Sequence, residues 1–232
     1  MLSLKRFFIL MTAAAAAVSI AAAQSNNEMT VEESYLQESI ELMIIRETAR
    51  ASSREQKFIA LEYIGYAISR GNASDDIRQT LDFLSREGRR TVAMESGRVV
   101  NNFPDVRRQS AKYLGQIGTE EARKTLLEIC QFENEPMVLQ EAIKSLGDIG
   151  VNDNNDTLIT ISWIFSRFNN LNPDNLMALA TIDAIDKIAR KYNGINSQEA
   201  VRTLRLITEG QYITPVKERA TQLMSELRRY GN

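Results

Sequence analysis

The sequence predicts an all-α fold, a solenoid of stacked helical hairpins, and three observations predict it. First, the four prolines, Pro104, Pro136, Pro173 and Pro215, each stand at or next to the start of a helical pattern, 32, 37 and 42 residues apart. Proline is tolerated there because a first-turn N–H has no intrahelical partner. Second, Val106–Gly118 and Val138–Gly150 carry Val, Leu-Gly and Ile-Gly at identical offsets, 32 residues apart. Third, no stretch alternates apolar and polar residues in a sustained way, so no strand is predicted.

The elements follow in chain order. Residues 1–23 read as a secretory signal peptide. Lys5 and Arg6 form its basic start, Phe7 to Ile20 its apolar core, and Ala21-Ala22-Ala23 the small side chains before a cleavage site at Gln24. The apolar run is about 17 residues, short of the ~20 that span a bilayer, so no stable membrane insertion is expected once it is removed. No cysteine stands at the cleavage point, which excludes a lipoprotein signal. The expectation is an exported protein, periplasmic or secreted.

Residues 24–52 read as a polar tail and a capping helix. Thr30 and Glu33 match a capping box opening a helix to about Arg50, whose apolar stripe is read as Leu36, Ile40, Met43 and Ile44. Ser53 and Gln56 match a second box, which opens the repeat domain, 53–232. Weaker copies of the repeat place Met177, Thr181, Ile185 and Ile188, then Val216, Ala220, Met224 and Leu227, at the same offsets, and Ala60, Ile64-Gly65 and Ala67 upstream. Second helices are predicted over about 75–87, 119–132, 156–168 and 197–209. A single hairpin cannot bury both apolar faces, so each leans on the next. Glycine after each Leu lets helices approach closely, and glycine after each Ile ends a helix in the left-handed conformation.

Composition removes whole classes of chemistry. The chain has 232 residues and no histidine, which excludes Ser-His-Asp triads, Cys-His dyads and His-ligated zinc. Cys130 is the only cysteine, so no disulfide can form within the chain; beside Leu126, Leu127 and Ile129 it reads as a buried apolar residue. Removal of residues 1–23 leaves 26 basic and 30 acidic side chains, a charge of −4 with no general attraction to nucleic acid. Asn152 to Asp156 lacks the Gly and Glu of a calcium loop and reads as a turn. Paired carboxylates have no spacing that predicts acid–base catalysis. No phosphate-binding glycine loop is present, no cofactor or metal is expected, and the chain is read as a non-enzyme.

Val-Arg-x-x-x-Ala-x-x-Leu-Gly-x-Ile-Gly, as in Val106 to Gly118, resembles the HEAT repeat, in particular the short bacterial form also found in phycobiliprotein lyases. The resemblance is strong over 104–150 and degenerate over 53–87 and 173–230. It implies a right-handed α-solenoid of about four to five hairpins whose second helices line a partner-facing surface. It implies no single activity.

Candidate binding residues follow from departures from the repeat. Residues Arg86 to Arg108 lengthen one interval to 50 residues and carry Arg86, Arg89, Arg90, Arg98, Arg107 and Arg108. They could grip an acidic partner through bidentate hydrogen bonds, or form a solvated loop pinned to the core by Val99-Val100. Arg123 and Lys124 on helix 119–132, and Arg202 and Arg205 on helix 197–209, read as solvated faces, which the HEAT resemblance implies would point into the groove. Trp163 lies off the stripe Ile161, Ile164, Phe165, Phe168, either as an interface anchor or as core. The expected partner is a protein of the cell envelope, bound by a scaffold or assembly factor. Self-association and a lyase-like action on a small ligand stand as alternatives. Lys217, Glu218, Arg228 and Arg229 predict a polar C-terminal cap, hence a monomer rather than an open polymer.

Overall fold

The computed structural model describes residues 30–169 and 173–230. Residues 1–29, with the signal peptide and the polar tail, lie outside the described residues. Two compact units divide between Ile40 and Glu41. Among the described residues there are ten α-helices, one short hairpin and one 3-10 turn. No helix among them is long and apolar enough to cross a membrane.

Helix α1 (Val31–Arg50) runs through the division. Its start is the predicted capping box: the Thr30 N–H donates to Glu33 Oε2 at 2.9 Å and the Glu33 N–H to Thr30 Oγ1 at 3.2 Å. Residues 30–40 bury none of their described side chains. The predicted stripe of α1 is corrected here. In the unit beginning at Glu41, Ile45 and Ala49 are buried and Met43 is 58% exposed. The run Leu42 to Ile45 is apolar on every side, so periodicity alone could not choose the buried face.

The hairpins follow: α2 (Arg54–Ser69) with α3 (Asp75–Arg86), α4 (Pro104–Ile117) with α5 (Glu120–Phe132), α6 (Pro136–Ile149) with α7 (Asp156–Asn169), and α8 (Asn175–Lys191) with α9 (Gln198–Glu209). Helix α10 (Thr214–Tyr230) ends the stack. First helices pack on first helices, α4 on α6 and α6 on α8, and second helices on second helices, α5 on α7 and α7 on α9. This is the connectivity of an all-α solenoid.

Repeat positions decide the core. Ile64, Leu114, Leu146 and Ile185 are fully buried, and so are Val106, Val138, Met177 and Val216 eight residues before the corresponding position. A Cβ on Gly115 would stand 2.6 Å from Ser145 Cβ, and one on Gly147 2.6 Å from Ala184 Cα. Those glycines therefore set how closely α4, α6 and α8 approach. Gly118 and Gly150 close α4 and α6 at φ 68° and 67°, a conformation that costs a side-chain-bearing residue energy. Ser74, Thr119, Asp174 and Ser197 cap α3, α5, α8 and α9 by accepting from first-turn N–H groups. Ser53 does not complete the second predicted box: its hydroxyl donates to Glu55 at 2.7 Å and makes no cap bond.

The expectation of no strand is also corrected. Strands β1 (Met94–Glu95) and β2 (Arg98–Val99) pair antiparallel. Ser96 and Gly97, at φ 49° and 76°, make the two-residue turn that suits a hairpin. Val99 and Val100 are 44% and 45% exposed, so they do not pin this segment to the core.

Candidate partner-binding surfaces

The long interval between α3 and α4 holds the hairpin, and buried charge holds its base. Lys57 of α2, fully buried, places Nζ 2.8 Å from Glu87 Oε2 and donates to the Ala49 carbonyl at 2.9 Å. Arg107 of α4, equally buried, donates from Nε to Glu133 Oε2 at 2.7 Å and from Nη1 to the Glu87 carbonyl and to Asn102 Oδ1. Glu133 also accepts from the backbone N–H groups of Asn134 and Glu135. Buried Asn101 accepts from the Ala93 N–H and donates to the Thr91 carbonyl, clamping the two arms. Beyond this base, residues 91–100 are all exposed, with Val92, Met94, Val99 and Val100 among them.

The six arginines of this region do not converge on one surface. Arg107 faces inward and is corrected from a candidate contact to a structural tie. Arg86 reaches Asp82 and Glu128 at 3.0 and 2.8 Å. Arg89 lies 3.4 Å from Glu133, and Arg90 lies 3.3 Å from Glu128 and over the Phe132 ring. Arg108 points the other way, from α4 to α6, with its Nε 3.6 Å from Glu141. Arg98 alone stands on the hairpin tip, in β2.

On the second helices the candidates divide in the same way. Arg123 is buried and binds Glu120, Asp156 and Thr157, joining α5 to the start of α7. Its hydrogen bond to Glu120 is the largest influence raising its pKa, so it stays charged and committed. It too is corrected to a structural role. Lys124 next to it is exposed. Trp163 of α7 is 48% exposed, which decides between its two readings in favour of surface; Ile159 one turn earlier is 45% exposed. The Arg167 guanidinium sits 4.9 Å from the Trp163 ring centroid and donates to the Glu133 carbonyl at 2.7 Å, so the indole rests on a fixed cation. On α9, Val201, Arg202 and Arg205 are exposed, and neither arginine makes an ion pair among the described residues. A cavity of about 480 Å³ opens beside them, between Ile195, Gln198 and Arg205.

Two exposed apolar features were not visible as such in the sequence. The hairpin was missed, although Ser96-Gly97 between Met94 and Val99 is a two-residue turn signal. The stripe Ile59, Tyr63, Tyr66 on α2 also lies at the surface. Cys130 is buried, and burial pushes its thiol up to about 12, which keeps it protonated at neutral pH.

The chain is therefore an α-helical repeat protein whose conspicuous surfaces are apolar residues and cations on rigid elements. Residues 98–162, covering the hairpin's second strand, α4, α5, α6 and the start of α7, match the family model of HEAT repeats. No curated protein matches the chain.

Proposed function

We propose that this is an exported, non-enzymatic scaffold or assembly factor that binds another protein of the cell envelope through its second-helix face. HEAT repeats generally mediate protein–protein interaction. The observation that carries the reading is what two neighbouring second helices expose: on α7 a half-exposed Trp163 on a fixed Arg167, with Ile159, and on α9 Val201 with Arg202 and Arg205, which make no ion pair among the described residues. Large rigid aromatics and arginines are the residue types that dominate binding energy at protein interfaces. Export rests on the basic start, apolar core and Ala21–Ala23 of the leader. A protein partner rather than nucleic acid rests on the acidic balance of the remaining chain.

Affinity capture from an envelope extract, with cross-linking and at low and high salt, tests the reading. The wild-type chain is expected to retain one stoichiometric protein, less of it at high salt, where the Debye length falls from ~10 to ~3 Å. Trp163→Ala combined with Arg202→Glu and Arg205→Glu is expected to lose it. Equal capture by that variant would remove the second-helix face from the account. The isolated chain is expected to begin at Gln24 by mass spectrometry, and a retained leader would contradict the cleavage.

A further inference from the structure

Through most of this chain arginine is a structural residue. Arg86 holds Glu128, Arg107 holds Glu133, Arg123 holds Asp156 and, on α10, Arg219 holds Asp186. Helix α9 departs from that habit. Its exposed residues Gln198, Val201, Arg202 and Arg205 stand at i, i+3, i+4 and i+7 and so share one face. Neither guanidinium has an ion pair or a side-chain hydrogen bond among the described residues. The acids one turn away do not supply one: Glu199 accepts from the Ser197 hydroxyl at 3.2 Å, and Glu209 pairs with neither arginine. Like charges one turn apart on a helix repel, and no described side chain offsets these two.

The same face lines a cavity of about 480 Å³, together with Ile195, Asn196 and Ser197 of the segment that enters α9. No Asp or Glu lines it. Three kinds of group therefore meet there: two unneutralised guanidiniums, the side-chain amides of Asn196 and Gln198, and the apolar side chains of Ile195 and Val201. Neither amide side chain is hydrogen-bonded among the described residues. A guanidinium fork fits a carboxylate. A side-chain amide offers both a donor and an acceptor, which is what a peptide group requires. From Gln198 to Arg205 the helix rises ~10 Å, the span of about three residues of extended chain. An inorganic anion would use the arginines and leave the amides and the apolar pair idle.

We infer that this cavity is the docking site of a short acidic peptide segment of a partner protein. Its carboxylates sit on Arg202 and Arg205, its main chain on Asn196 and Gln198, and an aliphatic side chain against Ile195 and Val201. The inference rests on the reading of the chain as a protein-binding scaffold and names the chemistry of what it binds. Charge complementarity selects the occupant: the cavity is a local surplus of two positive charges on a chain of net charge −2, and such a patch steers acidic segments to itself.

Fluorescence anisotropy on the chain as isolated from cells tests the inference, with labelled acetyl-Glu-Glu-Leu-Glu-Glu amide as the probe and its Gln-Gln-Leu-Gln-Gln counterpart as the control. The neutral peptide is expected to bind at least about tenfold more weakly, which corresponds to one charge-assisted hydrogen bond. Arg202→Glu with Arg205→Glu is expected to abolish binding of the acidic peptide, with helical content unchanged by circular dichroism. Trp163→Ala, which does not line the cavity, is expected to leave the peptide's affinity as it was. Equal binding of the two peptides, or equal binding by the double variant, overturns the inference. Displacement by inorganic phosphate at the peptide's own concentration makes the cavity a simple anion site and overturns it too. So does arginine-dependent binding to vesicles of phosphatidylcholine and phosphatidylglycerol with none to the peptide. Capture of a protein from the envelope extract without peptide binding counts against this inference alone, and peptide binding without capture counts against the scaffold reading alone.

Discussion

The junctions in the middle of the stack and those at its irregular places are made from opposite materials. Between α4 and α6, and between α6 and α8, contact is set by the absence of a side chain, at Gly115 against Ser145 and at Gly147 against Ala184. The equivalent position in α8 is Asp186, which binds Arg219 of α10 at 2.6 Å and Arg190 at 2.8 Å. Under the hairpin insertion, Lys57 meets Glu87 and Arg107 meets Glu133. Where the repeat is regular, backbones approach and dispersion joins them. Where an inserted hairpin interrupts it, the ends of α3 and α5 leave carbonyls and turns inside, and charged side chains satisfy them.

The largest effect that would break this comparison is at Arg107. Removing one member of a buried ion pair leaves the other charge without compensation, at a cost of ~3–5 kcal/mol. Arg107→Ala is expected to lower the urea midpoint accordingly, because Glu133 then sits buried against Arg89 alone among side-chain cations. Arg107→Met together with Glu133→Leu is expected to recover only part of the loss, since it removes the uncompensated charge but takes these partners from the Glu87 carbonyl and from the Asn134 and Glu135 N–H groups. If Arg107→Ala cost less than about 1 kcal/mol, the pair would be incidental and the hairpin would have to be held otherwise.

What was legible in the sequence follows the same division. The glycine junctions repeat, so self-comparison finds them: Leu114-Gly115 and Leu146-Gly147 announce both the buried position and the close approach. The second helices were placed to within a residue or so for the same reason, since Ser, Thr or Asp caps precede regular apolar periods. The charged junctions occur once each. Arg107 and Glu133 are 26 residues apart, and no local pattern ties them. Arg107 therefore read as one of six surface arginines and Glu133 as nothing in particular. Trp163 could not be assigned because exposure depends on what α9 presents to α7. The hairpin was hidden by its brevity: two residues per strand give no alternation to count.

The middle junctions predict the next largest effect. Gly147→Ala places a methyl against the backbone of α8, and Gly115→Ala one against Ser145, contacts that only a shift of the helices relieves. Each is expected to cost ~1–3 kcal/mol by overpacking, read as a lowered melting temperature with helical content retained. A neutral or stabilising result at either position would mean that the close approach is not required and that the recurrence of Leu-Gly reflects something other than packing. The two junctions are expected to respond alike: the added methyl meets Ser145 Cβ in one and Ala184 Cα in the other, each at 2.6 Å, and no side-chain rotation moves either atom.

At Asp186 the equivalent position carries a charge, and the expected effect is the smallest and depends on pH. Burial raises the carboxyl's pKa, but hydrogen bonds from Arg190 and Arg219 outweigh it and hold the group below the usual carboxylate range. A carboxylate whose folded value is depressed stabilises the fold fully above its unfolded value, near 4, and ceases to do so as pH falls through the folded one. Asp186→Ala is therefore expected to cost about 1 kcal/mol or less at pH 7, in keeping with partly solvated pairs. The difference between the two proteins should shrink as the pH is lowered from about 4. Glycine-lined junctions carry no titrating group, so the Gly147→Ala penalty should stay constant over the same range. If the Asp186→Ala penalty also stayed constant over that range, the last junction would be joined by packing like the others, and the ion pair would only decorate it.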